Sequence, residues 1–534
     1  MQRSLSLRWL WTILAAAVIA GVFFRVEHVV HRAFWTDESW TALRLSGHTY
    51  ADVRNLFDGR VHAPSELLGL QRVSPSRGVA DTVAGLATEE PQHPPVFYVL
   101  DREWAAMFGT SIAGMRSLAL LCSLLALIAI AWFSWELSGS VAVAAIAGAL
   151  MAVSPFFVDY AGQAREYSLW AAFVAATSAL LVRALRRPSR ARWAWYAGVM
   201  TLALYSDVFM AFVLAAQGIF VVASHWRQRR VVGSFVVAAL LATLLFVPWL
   251  AICLEAHSRM ASSNAWAFTP YPLRVILEKW AFNAGSVFFD AEYANLRLIP
   301  IAAVMLLLTL VAAVFVVRKE PASTTWLLVA LGASVAIPQI AVDLVTHGHT
   351  STVARYMIPL WMVMLIVVAL FFGRGLSGSG MQAFSFAALC AVLLVAGSSS
   401  AVNSAAVGWW DNNDDYPWTR MAGEINLGPH PLVVSEGHWA HVLVMSHYVK
   451  PDAEFLLFKG APPAGMRVHD AFLMAPSGRT VTALESEHYE LQPVPIAPYT
   501  QASAAISRFH ESLESGGGGE AFLLRFVAPV AANR

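Results

Sequence analysis

Two adjacent carboxylic acids, Asp37 and Glu38, lie between aromatic residues soon after the first apolar segment of the chain. A carboxylate beside a weak nucleophile can accept its proton as a general base, and carboxylate oxygens also bind hard cations. The structural alternative is that Thr36 or Asp37 caps a helix while the aromatic residues anchor it at a membrane surface. The residue types alone leave both interpretations open.

A second polar motif surrounds His93, which is followed by Pro94 and Pro95. Prolines restrict the backbone and so fix the direction of the neighbouring side chain. The imidazole could bind a metal or a phosphate oxygen, or it could be an ordinary loop histidine. His347 and His349 form another candidate metal pair, although no third ligand stands at a fixed spacing from them.

Two arginines, Arg165 and Arg355, each lie where an apolar segment begins. A guanidinium group can hold a phosphate through two parallel hydrogen bonds, so the two arginines are candidates for a phosphate site. The alternative for Arg165 is an ion pair within the protein, with Asp159 or Glu166 as its partner.

These polar motifs belong to a very apolar chain. Its 534 residues are 57% hydrophobic and 13% charged, whereas soluble domains are about 25% charged. Lipid must therefore solvate much of the protein. A net charge of +1 gives no indication of a nucleic-acid partner. The three cysteines lie in or beside apolar runs, which predicts neither a disulfide framework nor a cysteine metal site.

A membrane-spanning helix needs roughly 20 mainly apolar residues. We predict 11 such spans, at 9–24, 114–136, 140–157, 167–185, 193–207, 208–224, 231–252, 297–317, 324–345, 354–372 and 381–399. Arginine-rich segments then fall on one side of the stack, and the positive-inside rule assigns that side to the cytoplasm. This orientation places the other loops, and everything after about residue 400, outside the cytoplasm.

The chain is predicted to contain two domains. Residues 1–399 would form the transmembrane domain, whose first outer loop, 25–113, includes an interfacial helix near 94–104. Residues 400–534 would form a small exported α/β domain. Its short strand-like runs lie at 432–434, 455–458 and 522–527.

Several motifs together resemble bacterial members of glycosyltransferase family 39. They are Trp35-Thr36-Asp37-Glu38, His93-Pro94-Pro95-Val96-Phe97-Tyr98, Gln163-Ala164-Arg165-Glu166-Tyr167-Ser168-Leu169, Leu204-Tyr205-Ser206-Asp207 and Arg355-Tyr356-Met357-Ile358-Pro359. Their order is more specific than any one of them. The chain is similar to the protein O-mannosyltransferases and lipid A aminoarabinose transferases of the GT-C superfamily over about residues 9–372.

The resemblance implies a polytopic helical GT-C fold, a sugar donor linked to polyprenyl phosphate, and inversion at the anomeric carbon. Asp37 matches the usual catalytic aspartate, and Glu38 beside it is a second candidate catalytic residue. The residues implied at the donor phosphate are Arg165, Arg355, Tyr356, His93 and Tyr167. A divalent metal ion stays open as a cofactor. Metal binding does not transfer from the lipid A transferases, because they carry an acid and a lysine where Gln92 and His93 stand here.

We therefore expect an enzyme of the bacterial inner membrane, with its active site outside the cytoplasm. Its acceptor would be a protein, a lipid or an envelope glycan. One alternative is a GT-C relative that acts on a larger lipid-linked glycan. A second alternative is a transporter or flippase of lipid-linked sugars, but a transporter would place charges near mid-membrane, whereas these charges gather at one face.

Overall fold

The computed structural model describes residues 2–290, 298–377, 380–408, 417–437, 439–460, 463, 469–496 and 523–527. The chain divides into two compact units, each built from separate stretches of sequence. The first, here called the helical unit, comprises Met1–Arg32, Leu86–Leu100 and Ala113–Ala406. The second, here called the sheet unit, comprises Ala33–Gly85, Asp101–Ile112 and Val407–Arg534.

Helices account for most of the described residues. In chain order they are α1 (Gln2–His31), α2 (Thr36–Leu45), α3 (Tyr50–Arg54), α4 (Pro64–Gly69), α5 (Val79–Glu89), α6 (Val96–Phe108), α7 (Ile112–Ser138), α8 (Val141–Ala152), α9 (Pro155–Asp159), α10 (Tyr167–Arg186), α11 (Arg190–Leu204), α12 (Met210–His225), α13 (Arg229–Glu255), α14 (His257–Ser263), α15 (Leu273–Gly285), α16 (Ile299–Lys319), α17 (Ala322–Thr346), α18 (Ile358–Ser377), α19 (Gln382–Ala405), α20 (Trp418–Ile425), α21 (Trp439–Met445) and α22 (Gly478–Ser486). Short 3₁₀ turns lie at Tyr160–Gly162, Ala265–Phe268, Thr350–Thr352 and Ala354–Met357.

Among the described residues, eight helices are long and apolar enough to cross a membrane, and the number becomes nine if the bent pair α8 and α9 is one span. The eight correspond to α1, α7, α10, α13, α16, α17, α18 and α19. The predicted spans 193–207 and 208–224 correspond to α11 and α12, whose 15 and 16 residues fall short of the roughly 20 needed. The polytopic membrane fold is confirmed, while the count of 11 spans stays a prediction.

The predicted span 140–157 is bent rather than straight. Helix α8 ends at Ala152 and α9 begins at Pro155, with an angle of 64° between the two segments. Proline has no N–H to donate and disfavours a helical conformation in the residue before it. The carbonyls of Met151 and Ala152 at this break accept hydrogen bonds from the buried Arg25 of α1. The arginine thus satisfies backbone groups that hydrocarbon could not.

A buried polar network joins the ends of several helices in the helical unit. Arg32 donates to the Asp159 carboxylate and, over 2.7 Å, to Asn403 Oδ1. Gln163 donates to the second Asp159 oxygen at 3.0 Å, and Asn403 donates to Asp290 at 3.2 Å. These bonds tie α1 to α19 and to the turn before α10, which is the turn that carries Arg165.

The sheet unit contains six strands in the order β1-β3-β2-β4-β6-β5. They are β1 (Arg60–His62), β2 (Leu432–Ser435), β3 (Glu454–Leu457), β4 (Ala471–Met474), β5 (Glu490–Pro493) and β6 (Leu523–Val527). Strands β3, β2 and β4 are parallel, and the outer pairings are antiparallel. The predicted tail strands are therefore confirmed, except that Phe522 lies outside the described residues.

One strand of this sheet comes from the first loop rather than from the tail. Arg60–His62 pairs antiparallel with β3, with Arg60 opposite Leu457 and His62 opposite Phe455. Loop residues 33–85 and 101–112 share a compact unit with the tail. The predicted boundary at residues 399 and 400 stays a prediction, and the structure adds this grouping of loop and tail, which the sequence analysis did not foresee.

Candidate functional site

The loop that carries His93 is held against neighbouring helices of the helical unit. The carbonyl of Pro91 accepts a hydrogen bond of 2.9 Å from the Trp249 indole of α13. The backbone N–H of Val96, at the start of α6, donates to the Tyr205 carbonyl at 3.0 Å. His93 therefore extends from an anchored loop, as expected of a residue flanked by prolines.

Arg165 and Glu166 occupy the tight turn just before α10. The Arg165 backbone N–H donates to the Gln163 carbonyl at 2.7 Å, and the Ser168 hydroxyl reaches back to the Tyr160 carbonyl at 3.0 Å. Both side chains point into the protein, because Arg165 is only 4% exposed and Glu166 only 2% exposed. Charges buried to this degree need partners.

Hydrogen bonds connect the side chains of four residues, which are His93, Tyr98, Arg165 and Glu166. His93 Nδ1 lies 2.6 Å from Glu166 Oε1, and the Tyr98 hydroxyl donates to Glu166 Oε2 at 3.1 Å. Arg165 Nη2 lies 3.1 Å from His93 Nε2. A guanidinium only donates, so His93 Nε2 must accept and Nδ1 must carry the proton that goes to Glu166. The histidine is thereby assigned to its neutral form, with both ring nitrogens in use.

Electrostatic interactions also stabilise these hydrogen bonds. Burial disfavours the charged form of Glu166, but the positive charge of Arg165 and the hydrogen bond from His93 outweigh it and hold the pKa of the carboxyl well below its usual range. Burial raises the pKa of the Tyr98 hydroxyl well above its ordinary value, so the hydroxyl stays a neutral donor. A carboxylate with fixed donors can keep Arg165 in one orientation.

The second predicted arginine approaches the first across an aromatic ring. The Arg165 guanidinium lies 5.7 Å and the Arg355 guanidinium 5.8 Å from the centre of the Tyr167 ring. Arg355 also lies 5.5 Å from the ring of Tyr356 and 5.9 Å from that of Trp266. These distances permit cation–π attraction, which extends to about 6 Å. The structure therefore brings the five predicted phosphate-site residues, His93 among them, into one cluster.

The sequence analysis missed three contributors to this cluster. Glu166 appeared there only as an ion-pair partner, and the 3.6 Å contact between Arg165 Nε and Glu166 Oε2 shows that this pair does form. Tyr98 and Trp266 gave no separate signal, because an aromatic residue in an apolar segment is usually core. Glu166 could have been found, since an acid between Arg165 and Tyr167 at the start of a span needs a partner.

The acidic pair Asp37 and Glu38 lies in the sheet unit, in the first turn of α2. The N-cap residue is Trp35, with no side-chain cap, so the alternative in which Thr36 or Asp37 caps the helix is wrong. Asp37 is half-buried, whereas Glu38 is fully buried. An acid in a first turn still interacts favourably with the helix dipole.

Another buried acid of the sheet unit, Asp101 in α6, was treated from sequence only as a charge of an interfacial helix. Both of its side-chain oxygens are buried without a hydrogen-bond partner in the described part of the chain. Burial and the nearby Glu38 raise the pKa of Asp101 well above its usual value. The surroundings therefore favour the neutral form of this carboxyl, which lowers the cost of burying it.

The two candidate metal-binding histidines face different surroundings. His349 is buried and stacks on Tyr271 with ring centres 3.8 Å apart, and its Nδ1 lies 2.9 Å from the Thr269 carbonyl. His347 ends α17 in a left-handed conformation and is exposed. Within the described residues, no group of three His, Cys, Asp or Glu side chains could hold a metal ion.

Comparison with known proteins gives a family match for part of the chain. Residues 92–252 match the family model described as dolichyl-phosphate-mannose-protein mannosyltransferase. This segment includes His93, Arg165, Glu166 and Tyr167, while Asp37 and Arg355 lie outside it. No curated protein matches the chain.

Solved structures give matches over most of the chain. ArnT from Cupriavidus metallidurans bound to undecaprenyl phosphate matches with a TM-score of 0.50 and 11% identity, over 92% of this chain and 96% of that chain. AglB from Archaeoglobus fulgidus, an oligosaccharyltransferase in complex with an inhibitory peptide and a dolichol-phosphate, matches with a TM-score of 0.49 and 12% identity over 84% of this chain. The chain spans 64% of the length of that oligosaccharyltransferase.

The match to ArnT shows a shared fold, and the match to the mannosyltransferase family covers the turn that positions Arg165. The chain is an integral membrane protein, and its predicted fold class is confirmed. By its matched segment and its fold it resembles the glycosyltransferases of the GT-C superfamily, as the order of its sequence motifs predicts.

Proposed function

We propose that the protein is a membrane glycosyltransferase that moves a sugar from a polyprenyl-phosphate donor to an acceptor on the extracytoplasmic face, with inversion. The observation that carries this proposal is the convergence of the Arg165 and Arg355 guanidinium groups on the ring of Tyr167. Two largely buried cations that each approach the same ring to within 6 Å suit a bound anion, in addition to the Glu166 carboxylate beside Arg165. The undecaprenyl phosphate bound to ArnT, whose fold is shared, supports a lipid phosphate as that anion.

The arginines would act on the leaving group. As the bond between the anomeric carbon and the phosphate oxygen breaks, its electron pair moves to the lipid phosphate and negative charge grows there. Guanidinium groups already in position stabilise that charge without reorganising during the reaction. Tyr167 and Tyr356 would hold the guanidinium planes toward the phosphate. His93 would act through Arg165, unless one of its ring nitrogens gives up its present partner for a phosphate oxygen.

Asp37 is proposed as the general base. The acceptor hydroxyl forms a bond to the anomeric carbon on the face opposite the phosphate, and its proton passes to the Asp37 carboxylate. This role is supported by the match of Asp37 to the acidic motif of the resembling family and by its half-buried side chain, which stays open to solvent. Glu38, being fully buried, would support Asp37 rather than contact the acceptor.

The location of the reaction follows from charge. Arginine-rich segments after α10 and α12 support a cytoplasmic location for those helix ends, and the turn before α10 would then lie outside. We propose the bacterial inner membrane as the site of action, with an acceptor that is a protein, a lipid or an envelope glycan. A larger lipid-linked glycan as donor would be compatible with the same phosphate site.

Sugar transfer by the purified protein tests the proposal. The protein in nanodiscs is supplied with mannosyl phosphoryl undecaprenol, or its aminoarabinose analogue, and with extracted envelope lipids and glycans. Mass spectrometry should detect a covalent sugar adduct and free undecaprenyl phosphate in equal amounts. Movement of labelled donor across sealed vesicles without any adduct would instead support the transporter or flippase alternative and would overturn the enzymatic proposal.

A further inference from the structure

A cavity of about 300 Å³ lies at the end of α10 opposite Arg165, between the ends of α7 and α10 and the start of α11. Seven residues line it: Trp135, Glu136, Gly139, Arg183, Arg186, Arg187 and Arg192. Its volume lies at the lower end of the roughly 300–1,000 Å³ of small-molecule sites. Four of the seven lining residues are arginines, and nothing in the proposed transfer reaction uses them.

The charges around this cavity do not balance. Glu136 is the one acid among the lining residues, and its Oε1 already receives the Trp132 indole at 3.2 Å and lies 3.7 Å from Arg183 Nη1. Arg186 donates to the backbone carbonyl of Leu137 at 3.2 Å, which orients its guanidinium but does not neutralise it. One carboxylate cannot compensate four guanidinium groups, so the cavity attracts anions.

The position of the cavity restricts which anion it meets. Arg183 and Arg186 belong to the last turn of the membrane-spanning helix α10, and α7 ends beside them at Ser138. Trp135, 47% exposed, lies one turn before that end, and tryptophan is typical of the membrane–water interface. Basic pockets between the ends of membrane helices are suited to anionic lipid headgroups.

We propose that this cavity binds the phosphate headgroup of an anionic phospholipid. The planar guanidinium groups hold the phosphodiester oxygens through paired hydrogen bonds, and the Trp135 ring packs beside the glycerol backbone and upper acyl chain. The site is separate from the donor-phosphate cluster, because α10 lies between the two groups of arginines. It therefore does not depend on the proposed transfer reaction.

Lipid binding to a matched pair of triple variants tests this site. One variant carries Arg186→Gln, Arg187→Gln and Arg192→Gln, and keeps Arg183 so that the buried Glu136 retains its partner. The control carries Arg227→Gln, Arg229→Gln and Arg230→Gln, which removes the same charge from another exposed arginine-rich segment, at the start of α13. Retention of phosphatidylglycerol against phosphatidylcholine is measured by native mass spectrometry, with thermal unfolding as the check on folding.

The cavity variant should retain phosphatidylglycerol at least about tenfold more weakly than the control, because it loses charged hydrogen bonds to the phosphate, each worth roughly tenfold or more, whereas the control loses surface attraction alone. Equal losses in the two variants would show unspecific surface attraction and would overturn the proposal. Saturation by inorganic phosphate without selective lipid retention would also overturn it, since the anion would then be soluble. If the glutamine variant does not fold, Arg→Lys at the same three positions should give a smaller, still selective loss; wild-type retention there contradicts the site.

Discussion

Two groups of arginines lie at opposite ends of α10, and they differ in burial and in partners. Arg165 immediately precedes the helix, is 4% exposed and contacts His93 and Tyr167. Arg183 lies in the last turn, and its side chain is 49% exposed. The 20 residues between the two ends span about 30 Å at roughly 1.5 Å per residue, which is the thickness of the hydrocarbon layer.

This difference separates two reasons for placing arginine at a membrane surface. The exposed group agrees with the positive-inside rule, which needs charge at one face but no particular geometry. The buried group has lost most of its water and has fixed partners, so its cost must be offset by a local interaction. Position along the sequence does not distinguish the two groups, whereas burial does.

The largest effect on turnover is expected at Asp37, which belongs to neither group of arginines. Its substitution tests whether sugar transfer needs a carboxylate as general base. Asp37→Asn should insert and fold normally but lower turnover by about 10²–10⁴-fold, the usual contribution of a general base. Transfer of labelled sugar measures this directly. Glu38→Gln should be milder, and a well-folded Asp37→Asn protein with near-normal turnover would remove Asp37 from the mechanism.

The buried group is tested next by replacing its arginines with lysine. Arg165→Lys and Arg355→Lys keep the charge but lose the planar pair of donors, so donor affinity should fall by roughly 10–150-fold, or about 1.5–3 kcal/mol. Donor titration measures the change. Arg230→Lys, at the exposed start of α13, is the control and should behave as wild type.

A different result at Arg165 and Arg355 would reassign them. If both lysine variants lower thermal stability but leave the donor dependence of transfer unchanged, the arginines stabilise the fold through ion pairs such as Arg165 with Glu166. The buried arginines would then contribute more to the stability of the fold than the exposed ones, but they would not bind the donor.

A smaller effect concerns the carboxylate that orients Arg165. Because the pKa of Glu166 is held below its usual range, its charged form stabilises the folded state above its unfolded pKa of about 4.3, and this contribution is lost as the pH falls through the folded-state pKa. As the pH falls from about 5 to about 2.5, wild type should therefore lose more stability than Glu166→Gln, which has no such group to protonate. Thermal unfolding in detergent measures this, with the exposed Glu103→Gln as the control.

Glu166→Gln should also reduce donor affinity at neutral pH, since Arg165 would lose its fixed neighbour. The expected loss is smaller than that in Arg165→Lys, because the guanidinium group itself is kept. Unchanged donor titration together with wild-type acid sensitivity would contradict the role of Glu166 in orienting Arg165.

The smallest effect on activity is expected from cysteine substitutions, which show on which side of the membrane a residue lies. Ser65→Cys should react with an impermeant thiol reagent in intact cells, and Ala191→Cys, beside the exposed arginines, only after the membrane is opened. Both positions are exposed, and both variants should retain activity. The background should lack Cys253 and Cys390, which are partly exposed free thiols. The reverse labelling pattern would contradict the proposed orientation.

Much of the helical fold could be predicted from sequence, because hydrocarbon permits few backbone conformations and long apolar runs report them directly. Eight or nine of the predicted spans appear as helices of suitable length and composition among the described residues. The break before Pro155 was not predicted, since the segment is apolar throughout and Arg25, which satisfies the break, is remote in sequence.

The candidate site was predictable to a lesser degree. The motifs identified Arg165, Arg355, Tyr167, Tyr356 and His93 as a group, and the structure places them together. The directions of the hydrogen bonds among His93, Glu166 and Tyr98 could not be predicted, because they depend on a turn and on an anchored loop from different parts of the chain. Strand β1 was also missed, since three residues are too few to show an alternating pattern.

That short strand has a consequence for how the protein is made. Arg60 pairs with Leu457, so the edge of the sheet joins segments synthesised about 400 residues apart. At about 5–20 residues per second, the first loop waits roughly 20–80 seconds for its partner strand. Until then, β1 lacks its native partner, and the tail strands complete their sheet only after the last span has been made. We therefore expect maturation of the sheet unit to come late in biogenesis, when a chaperone that shields unpaired strands would be of most use.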